Sequence, residues 1–326
     1  MLLAVDVGNT QTVIGIFSDE SPSADALATR VPGSLPGLVH SWRVATVSER
    51  TPDEHALLIT QLLALTGLQI SGRSAGASGR SPVWGGMEPD DGLTDSRVDG
   101  MVVSSSVPAV TAALRLTVSN WFDVPLVVVE PGVETGMTIL YENPREVGAD
   151  RVVDAVAAID LFGGPAIVVD LGTATTFDVI SAGGEYLGGA IVPGIEISME
   201  ALFAHAAALR RVELVAPRAV IGRSTVESMQ SGAVYGYAAL VDGLCRRIEG
   251  DLGTATVIAT GGLAAVIAPH AAAVQYHEPW LTLHGLRLVY ARNHSGQARA
   301  VVTPTSARPA PVQAGSHSDA VDARSR

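Results

Sequence analysis

The stretch AVDVGNTQTVIGI at residues 4–16 returns in outline as VVDLGTATTFDVI at residues 168–180. Each is a short apolar run, then Asp-x-Gly with a Thr-bearing corner, then a second apolar run. Two strand-like runs joined at a Gly-containing corner read as a β-hairpin. Finding that hairpin twice, about half a chain apart, restricts the fold to one built by duplication. The segments after each copy extend the parallel. After the first, SWRVATV reads as a strand, DEHALLITQLLALTG as a helix opened by Pro52 and Asp53, DGMVVSSSV as a strand, VPAVTAALRLTVSNWF as a helix and PLVVVE as a strand. After the second, EYLGGAIVPG supplies a strand, ISMEALFAHAAAL and ESMQSGAVYGYAALVDGLCRRIEG read as helices, and ATVIATGG as a strand entering a Gly-rich turn.

The expected fold class is α/β, in two lobes of one plan with a cleft between them. The lobes are expected over residues 1–147 and 148–293. Residues 70–96 are rich in Gly, Ser, Pro and Asp and read as a mobile surface insertion in the first lobe. Residues 294–326 lack apolar periodicity and read as a disordered tail. Ligands in such folds sit outside strand ends and between lobes.

Composition narrows the partners. The 326 residues are 47% hydrophobic, enough for sizeable cores, and carry a formal net charge of −12. Such a surface repels a nucleic-acid backbone, so no nucleic-acid partner is expected. Small anionic ligands need only a local positive site. Cys245 is the single cysteine, which excludes an intramolecular disulfide, and it reads as a packed, inert thiol. Asp6 interrupts what would be the apolar part of a signal peptide, and no apolar run reaches the roughly 18 residues that span a bilayer. A cytoplasmic protein with no membrane partner is expected.

An Asp-x-Gly corner at a strand end suits phosphate chemistry. Gly permits a tight turn and lets a ligand approach the backbone. The turn's N–H groups, with the hydroxyls of Thr10 and Thr12 or of Thr173, Thr175 and Thr176, can grip phosphate oxygens. An ionised Asp repels phosphate directly, and its natural partner there is a hydrated Mg²⁺. One such corner is a common hairpin turn; two at equivalent places suggest hairpins facing one nucleotide. Thr260-Gly261-Gly262, after ATVIA, is either a plain strand-to-helix turn or a flat surface for an adenine or ribose. In YENPREVGADRVVDAVAA, Asp150 and Arg151 stand at a helix mouth. They are either an acidic helix start favoured by the dipole, or a general base beside a guanidinium fork that binds a carboxylate.

Taken together and in this order, Asp6-Val7-Gly8-Asn9-Thr10, Gly148-Ala149-Asp150-Arg151, Asp170-Leu171-Gly172-Thr173-Ala174 and Thr260-Gly261-Gly262 resemble the motifs of type III pantothenate kinase. GGAIVPGI and TVESMQSG resemble its connecting motifs, and the resemblance runs from residue 1 to about residue 293. It implies a duplicated RNase H-like fold (the actin-like ATPase fold) of the acetate kinase, sugar kinase, Hsp70 and actin superfamily, and a homodimer. It implies ATP-dependent phosphorylation of the primary hydroxyl of pantothenate to 4′-phosphopantothenate, the first step of coenzyme A biosynthesis, with Mg²⁺ and a monovalent cation, K⁺ or NH₄⁺. By position, Asp150 would be the catalytic base. Asp6, Gly8, Asn9, Thr10, Thr12, Gly172, Thr173, Thr260, Gly261 and Gly262 would surround ATP, with Asp6 holding Mg²⁺ through water and Asp170 the monovalent cation. Tyr141, Gly148, Ala149, Asp150 and Arg151 would contact pantothenate, joined by Thr225 from the partner subunit.

The chain departs from the pattern in places. Asp154 stands where Asn is common, adding a negative charge one helical turn after Asp150; it would raise the pKa of Asp150 or face solvent. Arg210 replaces a usual Pro, and Arg223 and Ser224 a common Lys-Asn. His205 reads as a surface or packing residue. A weakly active or inactive homologue with a regulatory role is the alternative function, against which the intact Asp6, Asp150, Arg151 and Asp170 argue. Another kinase or phosphatase of the superfamily is a third reading, and the GADR motif discriminates against it.

Overall fold

Both Asp-Gly stretches fold as antiparallel hairpins in the computed structural model, which describes residues 1–19, 26, 30–31, 33–72, 97–206 and 209–294. In chain order, the first half holds β1 (Leu2–Val7), β2 (Gln11–Phe17), β3 (Leu38–Ala45), α1 (Pro52–Ala64), β4 (Gln69–Ile70), β5 (Arg97–Val98), β6 (Gly100–Ser105), α2 (Pro108–Trp121) and β7 (Leu126–Val128). The second holds β8 (Thr138–Ile139), α3 (Ala149–Phe162), β9 (Ala166–Leu171), β10 (Ala174–Ile180), β11 (Glu185–Pro193), α4 (Ile195–His205), α5 (Thr225–Leu252), β12 (Thr256–Thr260), α6 (Ala264–Ile267), β13 (Tyr276–His277) and α7 (Leu281–His294).

The first sheet has the order β3-β2-β1-β6-β7, and the second β13-β12-β9-β10-β11-β8. In each, the hairpin and its third strand are antiparallel, and two further strands lie parallel on the other side of the first. The same order and sense in both sheets is the duplicated RNase H-like plan. The expected insertion stands on the short parallel ladder of β4 and β5, where Ile70 pairs with Val98. Its residues 73–96, and the expected tail from residue 295, lie outside the described residues.

Both faces of each sheet are covered, which is why β1 and β9 read as near-continuous apolar runs. Leu3, Val5 and Val7 face α1 and α2, while Leu2 and Ala4 face the opposite side with Leu286 and Val289 of α7. Likewise Ile167, Val169 and Leu171 face α5 and α6, while Ala166 and Val168 face α3. Two elements depart from the expected boundary between residues 147 and 148: β8 pairs with β11 of the second sheet, and α7 packs on the first sheet. The helices α3 and α7 cross at Gly285, where a Cβ would lie 2.1 Å from the Val153 carbonyl oxygen. That close approach requires glycine.

Local signals explain the helix ends. Thr51 accepts from the Glu54 amide and Glu54 Oε2 accepts from the Thr51 amide, a capping box that starts α1 with Pro52 in its first turn. Ser224, one of the departures, caps α5 by accepting from the Glu227 amide, and the Arg223 amide donates to Glu227 Oε2. Cys245 is fully buried in α5, and burial with nearby Glu249 and Asp242 pushes its thiol up to about 12, leaving it packed and inert as expected. Among the described residues, no helix is long and apolar enough to cross a membrane.

Candidate functional site

Strand alternation places two of the expected aspartates. Asp6 follows Leu2 and Ala4, and Asp170 follows Ala166 and Val168, so both point to the inner faces where α3 and α7 lie. Their neighbours match: Asp6 is level with Ser104 on β6, and Asp170 with Thr260 on β12.

The corners beside them are pinned. In the first, the Gly8 amide donates to the Gln11 carbonyl at 3.0 Å. Thr46 clamps it from β3's end: its hydroxyl donates to the Gly8 carbonyl at 2.7 Å, its amide to the Thr10 carbonyl at 3.0 Å, and Thr12 Oγ1 bonds Thr46 Oγ1 at 2.8 Å. Thr12 therefore shapes the corner, while Asn9 and Thr10 are exposed at its tip. In the second, the Gly172 amide donates to Ala174, and the Gly194 amide donates to the Thr173 carbonyl. Gly194 is the N-cap of α4, so the positive end of that helix lies at this corner. The two tips meet, with Thr10 Oγ1 and Thr173 Oγ1 3.1 Å apart.

Asp150 and Arg151 open α3, with Gly148 as N-cap and Ala149 as the first helical residue. Asp150 Oδ1 accepts from the Arg151 amide at 2.9 Å. Arg151 Nε donates to Asp178 Oδ1 at 2.6 Å, and Asp178 also accepts from the Tyr186 hydroxyl at 2.7 Å and from Thr176 at 3.0 Å. Burial raises the pKa of Asp178, and Arg151, Tyr186 and Thr176 oppose that rise. Arg151 also lies over the Tyr186 ring, and Tyr141 sits 6.4 Å from the same ring. The terminal nitrogens of Arg151 make no hydrogen bond among the described residues, so the fork is fixed at Nε and open at its end.

The acidic centre is under electrostatic stress. Burial, then repulsion from Asp150 and Asp170, pushes Asp6 up to about 8, against the pull of the Ser104 hydroxyl and Arg43. Burial, then Asp150 and Asp178, pushes Asp170 up to about 7. Asp154 corrects the expectation for it. It does not face solvent, being 3% exposed. Burial, then Asp170, holds its carboxyl well above the usual range, against the Thr282 hydroxyl of α7.

The Gly-rich turn closes the arrangement. Gly261 has φ +92°, and a Cβ there would meet Asp170 Oδ1 at 2.2 Å and the Leu171 backbone at 2.7 Å. Gly262 looks across the cleft at Arg43 and Gln11, which are themselves joined at 3.2 Å. On the far side of the Thr10–Thr173 contact, a cavity of about 430 Å³ has apolar walls from Ile195, Met199, Phe203 and Leu214 and a polar rim of Glu196, Glu200 and Arg211. Thr225, first residue of α5, lies elsewhere, in a groove with Leu202, Met229 and Tyr237. His205 and Arg210 are exposed.

Residues 2–247 match the family described as type III pantothenate kinase. A chain of that name from Streptomyces avermitilis is 49% identical over 300 residues, covering 90% of this chain and 99% of that one. One from Myxococcus xanthus is 45% identical over 296 residues, covering 90% and 100%. The chain belongs to the type III pantothenate kinase family.

Several residues of this pantothenate kinase family member escaped the reading of its sequence. Ser104 is the first-repeat counterpart of Thr260, and aligning the repeats strand by strand would have found it. Asp178 and Tyr186 fix Arg151, and their signal was polar residues inside otherwise apolar strands. Thr46 carries no local signal, because its role depends on β3 reaching the first corner.

Proposed function

We infer that this chain transfers the terminal phosphoryl group of ATP to the primary hydroxyl of pantothenate, giving 4′-phosphopantothenate and ADP, the entry into coenzyme A synthesis. The observation that carries the site assignment is the meeting of Thr10 and Thr173 at 3.1 Å, which joins two Asp-Gly corners into one clamp. Backbone N–H groups and hydroxyls of the clamp hold the phosphates. The cavity behind it is on the outer side of the β9–β10 hairpin, where Ile195, Met199 and Leu214 join the core under α5. It receives the nucleoside. The Arg151 fork and Tyr141 stand on the inner side and receive pantothenate, with Tyr186 buried beneath them, the open guanidinium end taking its carboxylate in a planar, two-point contact. Donor and acceptor thus approach the transferring phosphoryl group from opposite sides, as in-line transfer needs.

Asp150 serves as the base. Its Oδ1 is held by the Arg151 amide, and the proton leaves the pantothenate hydroxyl for this carboxylate as the new P–O bond forms. The oxygen-rich, mutually repelling set of Asp6, Asp150 and Asp170 fits Mg²⁺. Mg²⁺ keeps several waters and needs only one or two carboxylates, so Asp6 would hold it through water. When bound, Mg²⁺ neutralises charge developing on the phosphates. Asp170 would hold the monovalent cation, K⁺ or NH₄⁺. A homodimer accounts for Thr225. Around it Leu202, Val220, Ile221 and Val226 are exposed, an apolar face that a second copy would cover while bringing Thr225 to its partner's pantothenate. No observation favours the regulatory alternative. The test is formation of 4′-phosphopantothenate by the purified chain with ATP and Mg²⁺, with and without K⁺; absence of product under every cation overturns the reading.

A further inference from the structure

Asp154 lies one turn after Asp150 on α3, buried against Thr282 of α7 and within electrostatic reach of Asp170, Asp6 and Asp150. Its Oδ1 has no hydrogen-bond partner, and among the described residues no Arg, Lys or His pairs with it. A second orphan flanks the same centre from the other lobe. Ser104 Oγ on β6 is wholly buried, close enough to Asp6 to favour its charged form, and without a partner at bonding geometry. Buried polar atoms are normally paired, and two unpaired ones around a single acidic centre point to something that pairs them. A proton on Asp154 would cancel its charge but would supply no partner for the Ser104 hydroxyl. A hydrated divalent cation satisfies all of these groups: carboxylates take the charge, and its waters donate to Oδ1 and to Ser104 Oγ.

We propose that Asp154 is an added carboxylate of the divalent-cation site at Asp6, completed by the Ser104 hydroxyl, which this chain fills before nucleotide binds. The proposal rests on the reading that Asp6 and Asp170 face the phosphate clamp. Its consequence is that ATP meets a cleft whose charge is already neutralised. The site is for a hard cation that takes oxygen donors and keeps part of its water shell, Mg²⁺ or Mn²⁺.

The test is Mn²⁺ binding to the full chain without nucleotide or pantothenate, followed by electron paramagnetic resonance. The unmutated chain is expected to bind one Mn²⁺, displaced by Mg²⁺. Asp154→Asn keeps the shape and is expected to weaken binding about tenfold or more, and Ser104→Ala more modestly, as for groups acting through a metal's water. Thermal unfolding in EDTA checks that each variant is folded, and if Asp154→Asn is not, Ser104→Ala decides. No bound Mn²⁺ in the unmutated chain, or unchanged affinity in the deciding variant, overturns the proposal. Kinase activity is assayed separately, so a chain that binds Mn²⁺ through Asp154 yet makes no phosphopantothenate overturns the kinase reading alone.

Discussion

Thr10 Oγ1 and Thr173 Oγ1 lie 3.1 Å apart although 163 residues separate them in the chain. Each is exposed at the tip of its own Asp-Gly corner, so their contact spans the mouth of the cleft. A phosphate entering there can replace each hydroxyl's partner without distorting either hairpin. Thr173→Val keeps the shape and removes one such donor. A hydrogen bond to a charged group is worth about 1.5–3 kcal/mol, so kcat/KM for ATP should fall about 10- to 100-fold. Steady-state kinetics with ATP varied check this, and an unchanged value removes Thr173 from the phosphate site.

Asp150→Asn retains an oxygen able to accept from the Arg151 amide, so α3 should start normally. What it loses is the ability to take a proton. General-base catalysis contributes about 10²–10⁴-fold, and kcat should fall within that range while the circular dichroism spectrum is unchanged. Equal turnover in the variant would leave the reaction standing and remove Asp150 as its base.

The parts legible in the sequence were those written as local pattern twice over. The paired Asp-Gly hairpins predicted both sheets, and Pro52 and Asp53 predicted the start of α1. GADR placed Asp150 and Arg151 at a helix mouth. What the sequence hid depends on contacts across long separations. The side on which Asp154 lies depends on α7 crossing α3 at Gly285, far along the chain. The fixing of Arg151 depends on which face of β10 presents Asp178. The packing of α7 on the first sheet cannot be read from its own apolar periodicity, which marks a buried face without naming the surface that buries it.

Arg151→Lys tests the fork. Lysine keeps the charge but loses the planar end, and it cannot reproduce the 2.6 Å bond from Nε to Asp178 while also reaching a substrate carboxylate. KM for pantothenate should rise about tenfold or more, the loss of one charge-assisted bond, with KM for ATP much less affected. Equal changes in both would place Arg151 at the phosphates instead.

Ile221 is 83% exposed beside the Thr225 groove, and Val220 and Val226 continue the apolar face. A carboxylate at its centre would have to be desolvated on association, with no partner to pair it. Ile221→Asp should therefore shift the chain from dimer to monomer in light scattering. It should also reduce activity with little change in monomer fold, because Thr225 would no longer reach a partner's site. A dimer that survives the substitution would place the interface elsewhere.

The raised carboxylates give a pH signature in the metal-free, nucleotide-free chain. Asp6 and Asp170 move from 3.8 to about 8 and about 7 on folding. Between those limits the folded chain holds protons that the unfolded chain has released, so stability falls as pH rises. Their contribution is fully present below about pH 4 and is lost as pH rises through 7 and 8. His55, His277 and His284 work in the opposite sense. Burial lowers each from 6.5, which penalises folding only where the unfolded imidazole is charged. The fall is therefore cleanest above about pH 6.5, where these histidines are largely neutral in both states. Thermal midpoints measured in EDTA should decline from about pH 6.5 to 9, and Asp170→Asn should make the decline shallower by removing one titrating group. A midpoint that rises over this range, or a slope untouched by Asp170→Asn, would show that these carboxylates are not held protonated by the fold.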